Sequence, residues 1–321
     1  MTGDRPVRIG ISSCLLGEPV RFDGGHKRDG FLVDRLGPHV DWVPVCPEVE
    51  VGLPTPRPTL RLVQGSGGAD VRLVSPKTGE DHTAAMTAYA RERIEALAGC
   101  DLSGYVLKRG SPSCGMERVR VYGEAGMPAR SGRGLFAHAL LDRFPDLPVE
   151  EEGRLGDPGL RTHFLERVFA YRRLTALFAD PGWGVGDLVA FHTAHKLTLM
   201  AHAPGQAKDL GRLVAGAAGR DRPELEAEYR RAFMGLLARR VSPGRHVNVL
   251  QHIVGYFKDD LDAATRNDIL GVVDDYRAGL VDLVVPVTLI RHYVRRLGID
   301  YLAGQAYLER GPKELGAASL Y

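Results

Sequence analysis

The spacing of apolar residues changes character about half-way along this 321-residue chain. Up to about residue 150, short β-branched runs alternate with amphipathic stretches, which is the pattern of an open parallel sheet with helices on its faces. The strand-like runs are VRIGISSC (7–14), VDWVPVC (40–46), SGYVLKR (103–109) and LPVEEEG (147–153), and the helical stretches are DGFLVDRL (29–36), EDHTAAMTAYARERIEALAG (80–99) and GRGLFAHALLDRF (132–144). We therefore predict an α/β fold of the open parallel, Rossmann-like kind for the first half.

The second half of the chain has helical periodicity almost throughout. From about residue 158, strand signals nearly vanish and apolar residues recur at i, i+3 and i+4. The clearest segments are GLRTHFLERVFAYRRLTALFA, VGDLVAFHTAHKLTLMAH, PELEAEYRRAFMGLLARRV, VNVLQHIVGYFKDDL, ATRNDILGVVDDYRAGL and VVPVTLIRHYVRRLG. Glycine and proline cluster in EEGRLGDPGL (151–160), so we predict an α/β domain over 1–155 and an all-α helical domain over 156–321.

Hydropathy and charge indicate whether the chain spans a membrane, is exported or must bind nucleic acid. The chain contains no apolar run of about 18 residues, so we predict no membrane span. Its first residues, MTGDRPVRIG, lack the basic and apolar regions of a signal peptide, so we expect a cytoplasmic protein. The net charge of +2 neither requires nor excludes a nucleic-acid partner. The sequence leaves open whether the chain forms an oligomer.

Three of the four cysteines follow predicted strands. Cys14 ends the first strand-like run, Cys46 ends the second, and Cys114 lies in the turn after the third, within SPSCG (111–115). The carboxyl ends of parallel strands share one edge of the sheet, where ligands bind, so we expect these three thiols to converge. Cys100 ends a helical stretch at LAGC and is predicted to be structural. Four cysteines in a chain without an export signal do not indicate a disulfide framework.

Converging thiolates are soft ligands, which suit zinc or an iron–sulfur cluster. The alternative is that these cysteines are buried small apolar residues, a common fate of free cysteine. Repetition at three strand ends favours a metal centre. Polar residues accompany it: Glu48 follows Cys46 by two residues, and Lys108 and Ser111 flank the approach to Cys114. Beside a metal centre, such side chains become candidates for catalysis.

At these residues the chain resembles a known family, the iron–sulfur desulfidases that remove sulfur from thiolated uracil. The matching pieces are GISSCLLGEPVRFDGG, VPVCPEVEVGLPTPRP and LKRGSPSCG. The resemblance implies that Cys14, Cys46 and Cys114 hold a [4Fe–4S] cluster with one open iron, and that Glu48 and Ser111 face the substrate as catalytic residues. Coordination of the substrate sulfur to the open iron would polarise the C=S bond, and a carboxylate such as Glu48 would deprotonate a water for attack on the ring carbon.

The second half resembles a helical domain that is often fused to these desulfidases. The matching pieces are FHTAHKLTLMAH, RHVNVLQHIVGYFK, VPVTLIRHYV and YLAGQAYL. The fused form resembles bacterial desulfidases that convert 4-thiouridine in tRNA to uridine. The resemblance implies non-redox desulfuration with release of sulfide, and tRNA containing 4-thiouridine as the partner. Two alternatives remain open: a desulfidase for free-base or nucleotide thiouracil, and a non-catalytic RNA-binding or scaffold protein whose cysteines belong to the core.

The helical domain offers weaker candidates of its own. His192, His195 and His202 have helical spacing, but packed or capping histidines explain them better than a metal pair. The RHVNVLQHIVGYFK segment mixes cations and amides into an apolar helix, a combination suited to RNA phosphates and splayed bases. Its polar members are Arg245, His246, Asn248, Gln251, His252, Tyr256 and Lys258. The same residues could instead tie this domain to the first.

Overall fold

The computed structural model describes residues 6–65, 71–123, 127–309 and 311, and it divides into two compact units, 1–164 and 165–321. In the first unit the strands are β1 Arg8–Ser12, β2 Asp41–Val45, β3 Arg61–Gln64, β4 Val71–Val74, β5 Leu102–Leu107, β6 Val119–Tyr122, β7 Pro128–Gly132 and β8 Val149–Glu151. Its α-helices are α1 Pro47–Glu50, α2 Thr83–Ala98 and α3 Leu135–Arg143, with a π-helical segment over Phe31–Leu36.

The first sheet has the order β2-β1-β5-β8 and every pairing in it is parallel. Its central strands are apolar on both faces: β5 is buried along its whole length, and β1 is buried after Arg8. Burial on both faces is what a parallel sheet requires, and it explains why these strands appear as continuous apolar runs in the sequence. The predicted open parallel α/β sheet is confirmed, including its short last strand.

A second sheet, of order β4-β3-β6-β7, is not predicted by the sequence analysis. Its pairings are antiparallel except for β3 with β6. Its buried residues Leu62, Leu73, Val119 and Val121 pack with Met86 of α2. These strands have four or five residues each and every one contains an arginine, so their hydrophobic pattern is too short to stand out.

The second unit is helical throughout its described part, as predicted. The helix α4 Pro158–Phe178 begins in the first unit and ends in the second. The further helices of the second unit are α5 Val185–Ala194, α6 Lys196–His202, α7 Pro204–Ala215, α8 Arg222–Leu237, α9 Pro243–Gly255, α10 Ala263–Arg277, α11 Val284–Leu297 and α12 Asp300–Ala303. Asp221 and Asp262 cap α8 and α10 by accepting hydrogen bonds from Glu224 N and Thr265 N. The two compact units divide inside α4, and the functional domain boundary at 155 stays a prediction.

One apolar cluster of the helical unit is built from α6, α9–α12 and the residues that follow α9 and α12. Leu250, Ile253, Phe257, Ile290 and Tyr307 are fully buried within it. Within the described residues, no helix is both long enough and apolar enough to cross a membrane.

Gly10 sets how closely the Tyr105 ring packs on the centre of the first sheet. A Cβ atom at position 10 would lie 2.2 Å from the ring of this fully buried tyrosine. We predict that Gly10→Ala destabilises the protein by about 3 kcal/mol and lowers the thermal midpoint by about 10 °C, because the ring has no space to move. Calorimetry measures both the thermal midpoint and the free energy of unfolding.

The matched control is Gly235→Ala, because Gly235 lies in α8 and a Cβ atom there would have no other atom within 4 Å. Alanine is the better helix former at this position, so the midpoint should stay the same or rise. Equal midpoints for the Gly10→Ala variant and the unchanged protein would contradict the packing described for the first sheet.

Candidate metal centre

The register of the first sheet brings Cys14 and Cys46 to the same edge. Ser12, the last residue of β1, pairs with Val45, the last residue of β2. Cys46 follows that pair directly and Cys14 follows after one further residue. The neighbouring strand β5 ends at Leu107, and Cys114 lies in the turn beyond it.

A cavity of about 310 Å³ opens at this edge, and all three cysteines line it. Glu48, Ser111 and Lys108 line it as well, so the structure brings every site residue predicted for the first domain to one place. The remaining lining residues are Ser12, Ser13, Val20, Arg21, Phe22, Lys27, Val45, Pro47, Arg57, Thr59, Leu60, Arg109, Gly110 and Pro112. Cys100 does not line the cavity, and its thiol donates to the carbonyl oxygen of Ala96 in the helix that it follows.

The turn that carries Cys114 is held by side-chain and helix-end hydrogen bonds. The Ser111 hydroxyl oxygen accepts from Ser113 N at 3.2 Å and from Cys114 N at 3.1 Å. At the start of α3, backbone N–H groups donate to the carbonyl oxygens of Pro112 and Ser113. These donors would otherwise lack partners at a helix N-terminus, so the helix and the turn satisfy each other. Ser111 therefore shapes the turn in addition to facing the cavity.

A glycine allows this close approach of helix and turn. A Cβ at position 134, just before α3, would lie 2.4 Å from the backbone of Ser113. Only glycine fits at that distance, because the atoms it would meet are backbone atoms that cannot move aside. The sequence pattern GRG before the helix gives the signal for this contact, although it does not reveal the partner.

Cys14 is positioned by the loop that follows it. Cys14 lies in a short 3₁₀ turn, Ser13–Leu15, and its carbonyl oxygen accepts from Lys27 N at 2.8 Å. Asp29 N donates to the carbonyl oxygen of Leu15 at 2.9 Å. The polar, glycine-bearing loop between these anchors therefore folds back over the cavity, which it lines through Val20, Arg21 and Phe22.

Burial makes the three thiols poor acids in the absence of a cation. Desolvation raises the pKa of Cys14 to about 11, although the Lys108 ammonium acts against this rise. Burial likewise raises the pKa values of the Cys46 and Cys114 thiols, and the nearby Glu48 carboxylate adds to both. A bound metal centre must therefore displace these protons, which couples its binding to pH.

The carboxylate of Glu48 is fixed from two sides. Its Oε2 accepts from Arg57 Nε at 2.9 Å and lies 2.7 Å from the second Arg57 nitrogen, while its Oε1 accepts from the Ser113 hydroxyl at 3.0 Å. The Arg57 side chain is only 4% exposed. A planar guanidinium pairing two nitrogens with one carboxylate fixes its orientation as well as its charge.

Arg57 and Ser113 are the contacts of the Glu48 carboxylate, and the sequence analysis assigns neither of them to the site. Arg57 also donates to the carbonyl oxygens of Val20 and Pro54 and to the Thr55 hydroxyl, so it ties the loop over the cavity to Glu48. An arginine inside an otherwise apolar and proline-rich stretch, LPTPRP, was the available signal.

Lys108 is paired rather than free. Its ammonium contacts Glu152 and donates to the carbonyl oxygen of Arg109, and Glu152 also accepts from Arg109 N at 2.7 Å.

Within the described part of the chain, no set of three or more His, Cys, Asp or Glu side chains is arranged to hold a metal ion. The three thiols thus surround one cavity without meeting at a point where one ion would sit.

The three histidines considered for a metal pair, His192, His195 and His202, are packed against other residues. The expected continuous helix breaks at His195, which separates α5 from α6. His192 Nδ1 lies 3.2 Å from the Tyr229 hydroxyl, and His202 Nδ1 lies 2.6 Å from the carbonyl oxygen of Arg239. Burial lowers the pKa of His195 to about 4, so its ring is neutral at physiological pH.

The segment considered for RNA binding divides into two faces. His246 is buried and its ring contacts the Tyr307 hydroxyl at 3.0 Å, so it belongs to the core. The exposed face of α9 carries Arg245, Asn248, Gln251 and His252, and Tyr256 and Lys258 follow the helix on the surface. Arg245 donates to the carbonyl oxygen of His202 at 2.6 Å.

Two family models match different parts of the chain. The 2-thiouracil desulfurase model matches residues 9–152, and a model for a protein of unknown function (DUF1722) matches residues 196–312. The first match contains the three cavity cysteines and Glu48.

Three related proteins were found, and the chain covers most of each. Protein YbgA of Escherichia coli (strain K12), which is uncharacterised, is 32% identical over 150 residues, covering 46% of this chain and 88% of YbgA. Protein YbbK of Bacillus subtilis (strain 168), also uncharacterised, is 30% identical over 109 residues, covering 33% of this chain and 71% of YbbK. A solved structure of the [4Fe-4S]-dependent thiouracil desulfidase TudS is 35% identical, covering 48% of this chain and 97% of that one, with a TM-score of 0.39.

The chain belongs to the 2-thiouracil desulfurase family. The predicted resemblance is thereby confirmed for the first domain, and the protein is an enzyme, as predicted. Membership in a desulfurase family removes the alternative of a non-catalytic scaffold with core cysteines.

The cavity predicts which cysteines this desulfurase needs. We expect that replacing Cys14, Cys46 or Cys114 by alanine abolishes activity and lowers bound iron, because each thiol lines the cavity. Cys100→Ala is the matched control and should keep both, because its thiol bonds to the helix that precedes it. Elemental analysis of anaerobically purified variants measures their bound iron, and sulfide release measures their activity. Loss of iron from the Cys100 variant, with retention in one of the other three, would show that the ligand set is wrong.

Proposed function

We propose that this protein carries out [4Fe–4S]-dependent, non-redox desulfuration of thiolated uracil, and that its substrate is 4-thiouridine in tRNA. The products are uridine and sulfide. The observation that carries the proposal is the cavity in which three thiols from three strand ends lie beside the fixed carboxylate of Glu48.

The donor set of the cavity fits an iron–sulfur cluster. Three cysteine sulfurs are soft ligands, and a cluster takes thiolates from around a polyatomic core rather than at one point. The thiols Cys14, Cys46 and Cys114 would hold it. A cluster with three protein ligands supplies Lewis-acid chemistry, since one of its irons is open to the sulfur of a thiocarbonyl.

Glu48 is the group best placed to handle the proton of the attacking water. Conversion of C=S to C=O consumes one water and releases hydrogen sulfide, with no net transfer of electrons, so the protein must move protons only. Arg57 and Ser113 fix the carboxylate in place, and Glu48 lines the cavity that the substrate and the attacking water would enter. Ser111 lines the same wall with a hydroxyl whose oxygen accepts from the turn backbone, leaving its proton to donate to the substrate.

The charge around the cavity supports a substrate that carries phosphate. Arg21, Lys27, Lys108 and Arg109 all line it, with Arg21 paired to Asp23 and Lys108 to Glu152, and Phe22 is 39% exposed beside them. Cations and an exposed aromatic ring suit a nucleotide of RNA better than an uncharged free base.

A second support for tRNA lies on the helical unit. The exposed face of α9 presents Arg245, Asn248, Gln251 and His252, and the ring of Tyr256 beyond it stacks on Tyr301 with a centroid distance of 5.4 Å. Cationic and amide side chains beside a stacked pair of aromatic rings suit single-stranded RNA.

The alternative function is desulfuration of free-base or nucleotide thiouracil. The observation in its favour is that every residue lining the cavity lies between residues 12 and 114, so a small substrate needs nothing from the helical unit.

An assay of sulfide release separates these two functions. Anaerobically prepared protein is given tRNA that contains 4-thiouridine, 4-thiouridine monophosphate, or free 4-thiouracil, each at the same concentration. The proposal predicts the highest kcat/KM on tRNA. Faster turnover of either small substrate would favour the alternative, and no sulfide from any of them would contradict both.

We predict that Glu48 is needed for turnover and is not needed for binding of the cluster. Glu48→Gln keeps the size and polarity of the side chain but cannot accept a proton, so kcat should fall at least about a hundredfold. Iron content should stay the same, because the cysteines are unchanged. Asp41→Asn, an exposed carboxylate at the opposite end of β2, is the matched control. Near-normal turnover by Glu48→Gln would place the base elsewhere.

The surface of the helical unit predicts a salt-dependent interaction with tRNA. Lys258→Glu should weaken tRNA binding and make it less sensitive to salt, because each neutralised phosphate releases counterions. The matched control is Lys208→Glu, an exposed lysine on α7 outside this segment. Fluorescence anisotropy with labelled tRNA at several salt concentrations measures the effect, and equal salt slopes for both variants would exclude this segment from the RNA-binding surface.

A further inference from the structure

Glu50 lies outside the cavity and yet contacts both backbone polar groups of a cavity cysteine. Its carboxylate Oε1 accepts from Cys46 N at 2.8 Å, and its own backbone N donates to the carbonyl oxygen of Cys46 at 2.8 Å. Cys46 is the residue just before α1, where its backbone is extended with φ −122° and ψ 94°. The N–H of such a residue needs a partner from a side chain, and Glu50 provides it.

Glu50 is itself held by the helix α2. The Tyr89 hydroxyl donates to its Oε2 at 2.7 Å, and Arg93 Nε forms an ion pair with the same oxygen at 3.1 Å. Tyr89 packs against the apolar cluster of the second sheet and contacts the ring of Phe136. Desolvation and the Glu50 carboxylate raise the pKa of Tyr89, so its hydroxyl keeps the proton that it donates.

We propose that Glu50, anchored by Tyr89 and Arg93, is the positioning residue that fixes the direction of the Cys46 thiol towards the metal centre. The proposal rests on the cluster site of the proposed function. The other two thiols are positioned differently, Cys14 by the loop that folds back over the cavity and Cys114 by the N-terminus of α3. Cys46 is the partly exposed member of the three. Because a partly exposed side chain has fewer packing contacts to hold it, the direction of the Cys46 thiol depends more on a backbone that is fixed on both sides.

The first test measures how fast iron leaves the protein. Glu50→Ala should accelerate the transfer of iron to a chelator about tenfold, the scale on which loss of a partner behind a ligand weakens a metal site. Glu50→Gln should restore most of the difference, because its amide oxygen still accepts from Cys46 N. Tyr89→Phe should give an intermediate rate. Glu92→Ala, an exposed residue of α2, is the matched control and should match the unchanged protein.

The second test needs no metal and addresses Cys46 directly. In cluster-free protein, iodoacetamide labels the three cysteines, and mass spectrometry of the peptides compares their rates. Glu50→Ala should increase the labelling rate of Cys46 several-fold relative to Cys114, because the thiol is no longer held in one direction. Thermal midpoints of the same variants show whether the whole fold has changed, and they should remain within a few degrees.

Each outcome bears on one of the two proposals. Equal iron-release rates and equal Cys46 labelling in Glu50→Ala, Glu92→Ala and the unchanged protein would overturn the role of Glu50. If Glu50→Ala does not fold, Tyr89→Phe takes its place in both tests, with Glu92→Ala as its control, and equal rates in these two variants would overturn the role of Glu50. If the unchanged protein takes up no iron after anaerobic reconstitution, the cluster of the proposed function fails, and the labelling experiment still decides whether Glu50 positions Cys46.

Discussion

The parallel register of β1, β2 and β5 is the constraint on which the candidate site depends. Because these neighbouring strands run in one direction, residues that follow them in sequence are delivered to one edge of the sheet. Cys14 and Cys46 follow strands paired up to their last residues, and Cys114 follows the third strand through a turn. A cavity bounded by three thiols arises from residues that are far apart in the chain.

The loops at this edge are fixed because their backbone N–H and C=O groups form hydrogen bonds within the protein. The start of α3 donates to the Cys114 turn, Lys27 N donates to Cys14, and Glu50 holds Cys46. Polar groups at a cavity wall would otherwise face each other unpaired as the loops close, which is costly in free energy. Burial raises the pKa values of all three thiols, so they keep their protons until a metal centre displaces them.

Much of this site was predictable from the sequence, because the pattern is local to each strand. A β-branched run that ends at a cysteine beside glycine or proline predicts both the strand and the position of the thiol. The second sheet was not predictable, since its strands are four or five residues long and its two hairpins are joined only through the long-range pairing of β3 with β6. The partners of the site residues also escaped the sequence analysis. Glu48 binds Arg57 and Ser113, nine and 65 positions away, and no spacing rule relates residues that meet only through the fold.

The break at His195 between α5 and α6 could not be predicted, because helical spacing continues through it in the sequence.

The proposed cluster site is tested most directly by anomalous X-ray scattering at the iron absorption edge from crystals grown anaerobically. We predict one strong iron peak in the cavity, within bonding distance of the Cys14, Cys46 and Cys114 sulfurs, and its loss in the Cys46→Ala variant. A crystal of active protein with no iron in this cavity, or with iron bound to other residues, would contradict it.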